Sequence, residues 1–175
     1  MNTSKALIWL NIGLLFFIWV ISVAAYGALP EKIPVHFGFS GQPDAWAQKS
    51  IHTFFLLPAI NVVMVVMLIW IRSFPRLYNF PQKNEVRSWP EEKRQPVYDF
   101  LGDMTLAIAL ILNIMFCVIQ TMIIEAAKTA YLPPSRMWLI FGIVLTLVPL
   151  MVYMLVRVNK IVLAIKKTLP GGENS

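Results

Sequence analysis

The chain has 175 residues, of which 58% are hydrophobic and only 14% are charged, and its formal net charge is +6. Soluble domains average about 45–50% apolar and about 25% charged residues, so the composition excludes an ordinary soluble protein and indicates a membrane protein. With 175 residues, we expect one compact unit without a separate soluble domain beside several membrane spans.

Four segments lack charged residues and meet the criterion of about 20 mostly apolar residues for a transmembrane helix. They are residues 6–29, 53–71, 104–124 and 137–156. Because the hydrocarbon core offers the backbone no hydrogen-bond partners, each segment should be helical. The first resembles a signal peptide, but its apolar stretch exceeds the usual length of about 7–15 residues, so we expect it to be retained. The sequence thus predicts an all-α membrane protein, a bundle of four transmembrane helices.

The 15 Lys and Arg residues divide unevenly between the two sides of this bundle. Eleven of them precede the first span, lie between the second and third, or follow the fourth, and four lie in the other two connections. By the positive-inside rule, both termini and the connection 72–103 should be cytoplasmic, while the connections 30–52 and 125–136 should be extracytoplasmic. We expect the net charge to face lipid headgroups, with the bilayer and not nucleic acid as the partner.

The predicted outer connection, residues 30–52, is unusually rich in Pro, Gly and ionisable residues. Pro30 and Pro34 restrict φ and favour an extended run after the first helix. Gly41 permits backbone angles that other residues avoid, and Pro43 is typical of a turn. We expect a structured loop that folds back onto the helix ends.

The ionisable side chains of this loop are the candidate binding site. His36, Asp44 and Lys49 are predicted to form one outer polar cluster. Trp46 should cover it, and Glu125 should approach it from the end of the third span. Three uses remain open, namely a loop cap bonded to itself, recognition of an external peptide or lipid, and metal binding. The spacing of the histidines and carboxylates matches no metal motif, so no metal or cofactor is predicted.

Neither a G-x-S-x-G nor an HExxH motif occurs, and the single cysteine, Cys117, lies deep in the third span. We therefore expect a protein that is not an enzyme. The spans contain no ionisable Asp, Glu, Lys, Arg or His near their centres, which argues against a proton relay or an ion-coupled pump.

The outer loop also carries a family pattern. Its residues are Leu29-Pro30, Ile33-Pro34, His36-Phe37, Gly41, Pro43-Asp44, Trp46 and Lys49. This pattern resembles the signature of the domain of unknown function 1648, a family of bacterial membrane proteins, which has a membrane helix on each side of the loop. It is similar to the N-terminal part of SdpI-type immunity proteins, which protect the producing cell from a peptide toxin and capture a repressor at the membrane. The resemblance implies residence in the bacterial cell membrane and a role in immunity or signalling, although the second half of the chain shows no SdpI-type pattern.

The remaining segments complete the predicted organisation. Between the second and third spans, we expect a short helix that is capped by Ser88 and ends before Pro96. Aromatic residues alternate there with Lys and Arg and predict an interfacial belt on anionic headgroups, although single-stranded nucleic-acid binding uses a similar pattern. The expected units are residues 1–71 as the family domain, 72–103 as a cytoplasmic loop, 104–156 as a second helix pair and 157–175 as an amphipathic cytoplasmic tail.

Polar residues within the spans fall at helical spacing, most clearly Asn113, Cys117 and Gln120 in the third span. Such groups usually face protein because an unsatisfied amide in hydrocarbon is costly, so we predict interhelical hydrogen bonds, with a polar ligand path as the alternative. The amphipathic tail should prolong the fourth helix or lie along the inner leaflet. Two functions follow: envelope immunity or signalling through the outer loop, or a small transport or accessory subunit that packs on a larger membrane partner.

Overall fold

The computed structural model describes residues 3–169 and is 75% helical. The sequence also predicts that Pro170-Gly171-Gly172 ends the amphipathic tail, and these three residues lie outside this range. In chain order the elements are helix α1 (Thr3–Tyr26), strands β1 (Lys32–Phe37) and β2 (Pro43–Gln48), helix α2 (Ile51–Ile71), a 3-10 turn (Pro75–Leu77), and helices α3 (Lys83–Ser88), α4 (Glu91–Thr129) and α5 (Ser135–Lys166).

Four of these helices, α1, α2, α4 and α5, are long and apolar enough to cross a membrane, which confirms the predicted four-span protein. Helix α4 has 39 residues, which at about 1.5 Å per residue is close to twice the hydrocarbon thickness of about 30 Å. Helix α5 has 32 residues. The predicted spans 104–124 and 137–156 are therefore only parts of longer helices, because the charged residues that end each apolar run do not end the helix.

The connections define two ends of the bundle. At the hairpin end lie the β-strands and the connection between α4 and α5; at the basic end lie the start of α1 and the segment between α2 and α4. Helices α1, α2 and α4 pack against one another, whereas α5 packs mainly on α4. None of the most apolar part of α5 is buried within the chain, so α5 is the peripheral helix of the bundle.

Three asparagines join α1, α2 and α4 in the middle of the bundle. The Asn61 amide donates to Asn113 Oδ1 at 2.8 Å, and the Asn113 amide donates to the Asn11 carbonyl at 2.9 Å. The Asn11 amide donates to the Leu106 carbonyl at 3.2 Å. All three asparagines are fully buried, so the predicted interhelical hydrogen bonding is confirmed at these positions.

Gln120 departs from this prediction. Its side chain is fully buried, yet neither its amide nitrogen nor its amide oxygen has a hydrogen-bond partner among residues 3–169. Cys117 approaches the Leu14 carbonyl at 3.7 Å, and Ser22 bonds within its own helix to Ile18. The polar face of α4 therefore contributes to helix association mainly through Asn113.

The connection between α1 and α2 corrects the all-α description, because it forms an antiparallel two-stranded hairpin. The proline-rich run that follows α1 favours extended backbone, and a two-stranded sheet has two edges at which proline is tolerated. Helix α1 ends at Tyr26, and Leu29 is buried at the hairpin end beside Ile33 and Phe54 instead of continuing the helix.

At the basic end a hydrophobic core takes in three residues of the predicted aromatic belt, whereas Phe74 of the same segment remains 41% exposed. Tyr78, Phe80 and Trp89 are buried, so they are core residues and do not form an exposed interfacial layer. Their buried neighbours are Val86, Val97, Leu101, Val158 and Val162. The last two belong to the amphipathic tail, which confirms that the tail prolongs the fourth helix. Its apolar face packs on this core, so it does not lie along a leaflet.

The start of α4 also differs from the prediction. Pro96 lies inside the helix, and Ser88 donates to the Glu85 carbonyl at 2.7 Å without capping α4. A proline so close to the N-terminus removes only one intrahelical hydrogen bond. Burial of Val97 and Leu101 in the core offsets this loss, so the helix continues.

Candidate functional site

A tight turn joins the two strands of the hairpin, and each strand has one bulged residue near this turn. The Gly38 amide donates to the Gln42 carbonyl at 2.9 Å, and Gly41 has a φ of +79°, which side-chain-bearing residues rarely adopt. Register shifts on either side of His36 leave Val35 and Asp44 without paired residues. Such bulges redirect side chains, so Val35 and His36 are both exposed although they are neighbours in sequence.

One face of the hairpin packs on the helices. Ile33 is 1% exposed and lies against Leu29 and Phe54. Phe37 packs on a second buried cluster that includes Met122 and Leu132. Since burial of a large apolar side chain contributes about 1.5–3 kcal/mol, these contacts hold strand β1 against α4.

The tip of the hairpin is held by Gln42. Its amide donates to the Leu132 carbonyl at 2.6 Å, and the Leu132 amide donates back to Gln42 Oε1 at 3.3 Å. Gly41 lies against Met137 so closely that an added Cβ would be 3.1 Å from the methionine Cβ. The tip is therefore docked on the connection between α4 and α5. No local pattern pointed to Gln42, because its partner lies 90 residues away.

His36 and Asp44 are brought together by the two bulges. Histidine Nδ1 lies 2.5 Å from the carboxylate Oδ1, in agreement with this part of the predicted cluster, and the two side chains are 67% and 51% exposed. The carboxylate also lies over Gly38, where a Cβ would approach its Oδ2 to 3.0 Å. The pair is open to solvent on the face of the hairpin that turns away from the helices.

Lys49 does not join this pair, so the predicted single cluster is wrong. Its ammonium donates to the Leu29 carbonyl at 2.6 Å and the Tyr26 carbonyl at 3.3 Å, and it lies 5.2 Å from the centre of the Tyr26 ring. Lys49 follows the hairpin at the end where strand β1 begins. The length of β1 separates this end from His36 by about 13 Å, at about 3.3 Å per residue. A cation at the C-terminal end of a helix complements its dipole and its free carbonyls. Lys49 thus caps α1.

The other predicted residues also have defined places. Trp46 pairs with Pro34 across the hairpin and remains 40% exposed. Pro43 pairs with Phe37 where the turn ends, and Pro30 precedes the first strand.

Glu125 approaches a different partner from the one expected. Its carboxylate accepts from Arg136 at 2.8 Å, which ties the end of α4 to the start of α5.

The exposed surface of the hairpin combines apolar and ionisable side chains. Phe39 at the tip is 98% exposed, Val35 is 48% exposed and Trp46 is 40% exposed, beside the His36–Asp44 pair. Within residues 3–169, no group of three or more His, Cys, Asp or Glu is arranged to hold a metal ion. The surface therefore has the chemistry for contact with a peptide or a lipid.

One comparison with known proteins centres on the same region. Residues 13–62 match the domain of unknown function 1648, a segment that runs from α1 through the hairpin into α2. A curated protein of Archaeoglobus fulgidus, described as an uncharacterized protein, is 28% identical over 166 residues, which cover 88% of this chain and 87% of that protein. No solved structure matches the chain. The match over residues 13–62 agrees with the resemblance read from the loop pattern and supports assignment of this segment to the domain of unknown function 1648.

Proposed function

We propose that this chain is a non-enzymatic membrane protein that recognises an extracytoplasmic peptide or lipid through its hairpin, in immunity against a peptide toxin or in envelope signalling. One observation carries the proposal: the hairpin is docked firmly on the helices, yet Phe39 at its tip is 98% exposed. A phenylalanine held out on an anchored element is typical of a contact residue, because burial of its ring on binding contributes about 1.5–3 kcal/mol.

The orientation is part of the proposal. Eleven of the 15 Lys and Arg residues lie at the basic end or on the helix extensions beyond it, which supports cytoplasmic termini and an extracytoplasmic hairpin in the bacterial cell membrane. A recognition surface on the outer side would meet a toxin before the toxin enters the bilayer.

Binding, and not catalysis, fits the surroundings of the His36–Asp44 pair. Both side chains are more than half exposed, whereas enzymes generally exclude water from reacting groups to strengthen electrostatic interactions. In the proposed role, the histidine and the carboxylate provide polar contacts beside the apolar ones from Val35, Phe39 and Trp46.

Growth of cells with and without the chain, challenged with a panel of membrane-active peptides, tests the proposal. Cells that express the chain should survive at least one peptide that kills cells without it. The substitutions Phe39→Ser and His36→Ala should each remove this protection while expression of the chain stays unchanged. Gln48→Ala, an exposed polar position at the base of the hairpin, is the matched control and should retain it. Protection that survives both tip substitutions would refute recognition by the hairpin.

A second function, as an accessory subunit of a larger membrane complex, is favoured by α5. This helix presents large apolar side chains along its length and has no buried residue in its most apolar part. Affinity purification in mild detergent distinguishes the two functions. Co-purification of a stoichiometric partner that is lost in the Leu145→Ala and Val152→Ala variants would support the subunit role. Purification of the chain without a partner from cells that it protects would support recognition.

A further inference from the structure

A cavity of about 490 Å³ lies at the basic end, far from the hairpin. Its polar lining comes from Arg76, Arg87, Glu91, Arg94, Gln95 and Tyr98. Ligand sites for small molecules typically have volumes of about 300–1,000 Å³, so the cavity is large enough for a phosphorylated headgroup or a small phosphate ester.

The three arginines come from three different elements that the fold brings together. Arg76 lies in the 3-10 turn, Arg87 in α3 and Arg94 in the first turn of α4. The Arg87 guanidinium donates to the Arg76 carbonyl at 3.0 Å, which holds α3 against the turn. Trp89 lies between α3 and α4 and is buried in the core of the basic end, so the backbone that carries these arginines is anchored.

None of these guanidinium groups forms an ion pair with another of the residues 3–169. Two neighbouring basic residues do: Arg72 pairs with Asp103 at 3.7 Å, and Lys166 pairs with Glu85 at 3.1 Å. Glu91 lines the cavity but offsets only one of its three positive charges. The positive end of the 39-residue helix α4 adds to the excess.

We propose that this cavity binds a phosphate group. Guanidinium groups bind phosphate oxygens through paired, charge-assisted hydrogen bonds, and three of them around one cavity match the oxygens of a single phosphate. The phosphate belongs either to an anionic phospholipid, since the apolar helix α2 ends at Ile71, close in sequence to Pro75 of the cavity lining, or to a soluble phosphate compound. The site is independent of the hairpin, so it would give the protein a second ligand at its opposite end.

Two binding experiments with the full chain distinguish the sources. In one, native mass spectrometry counts phosphatidylglycerol retained by the chain from nanodiscs of phosphatidylcholine with and without phosphatidylglycerol. In the other, inorganic pyrophosphate is titrated into the chain in zwitterionic detergent and followed by calorimetry. Saturable one-site binding of phosphatidylglycerol would identify the ligand as a lipid. Saturable one-site binding of pyrophosphate would identify it as a soluble phosphate compound.

Arg94→Gln and Arg76→Gln should each weaken the observed binding by about tenfold or more, because each removes a charge-assisted contact. Lys93→Gln is the matched control, since it removes the same charge from the adjacent position, where Lys93 bonds Thr168 at 3.0 Å outside the cavity. Melting temperatures separate loss of binding from loss of folding, and Arg76 is exposed, so its replacement should leave folding intact. The proposal is overturned if neither probe saturates, or if Lys93→Gln weakens binding as much as Arg94→Gln.

Discussion

Replacement of Asn113 by leucine should destabilise the bundle strongly. Asn113 accepts from the Asn61 amide at 2.8 Å and donates to the Asn11 carbonyl at 2.9 Å, so one side chain links three helices. Interhelical hydrogen bonds in membranes average about 0.6 kcal/mol and reach about 1.7 kcal/mol, so two of them contribute roughly 1–3 kcal/mol. The substitution also leaves the buried Asn61 amide without a partner, which adds about 1–3 kcal/mol. We expect the free energy of unfolding to fall by about 2–6 kcal/mol.

Two other substitutions on α4 make this prediction specific. Gln120→Leu should be neutral or stabilising, because the buried Gln120 amide already lacks hydrogen-bond partners. Ile111→Leu keeps the volume and polarity of the side chain and should change little. Denaturant-induced unfolding in detergent micelles measures all three variants. We attribute the association of α1, α2 and α4 to the asparagine contacts and not to buried polarity in general. An equal loss of unfolding free energy in the Gln120→Leu and Asn113→Leu variants would refute this.

The remaining predictions concern the two ends of the bundle. Gln42→Ala should release the hairpin tip from the connection between α4 and α5, seen as faster proteolysis after Lys32 in reconstituted vesicles, whereas Gln48→Ala should leave the rate unchanged. Lys49→Met should lower the melting temperature by removing the cation that caps α1, with a loss of about 0.3–1 kcal/mol, and high salt should reduce the difference. Burial raises the pKa of the Tyr78 hydroxyl above 10, so the folded state holds this proton more tightly than the unfolded state. Stability should therefore fall as pH rises beyond about 10, and Tyr78→Phe should remove that part of the decrease.

The transmembrane helices could be predicted because hydropathy is a property of each short segment by itself. The ends of α4 and α5 could not, because their charged extensions are stabilised by packing at the basic end. Trp89 shows the difficulty: the same aromatic and basic neighbours fit an interfacial belt or a small core. Trp89 belongs to a small core because Val158 and Val162 pack there, and these two residues lie about 70 positions further along the chain.

The candidate site was predictable to the extent that its contacts are local. His36 and Asp44 are only eight residues apart in sequence. The proline and glycine residues around them already indicated a loop that reverses its direction. The bulges that aim both side chains outward depend on strand register, which no residue type in the loop specifies. Lys49 was misplaced because its partners are backbone carbonyls at the end of α1, and a carbonyl acceptor carries no signature in the sequence.

The most direct test of the account is the exposure of the hairpin tip in living cells. A Phe39→Cys variant with Cys117→Ala removes the native thiol and places one cysteine at the most exposed apolar position of the hairpin. A membrane-impermeant maleimide should label it in intact cells, and a matched Lys83→Cys variant should be labelled only after the cells are permeabilised. Labelling of residue 39 only after permeabilisation would place the hairpin in the cytoplasm and contradict recognition of an extracytoplasmic ligand.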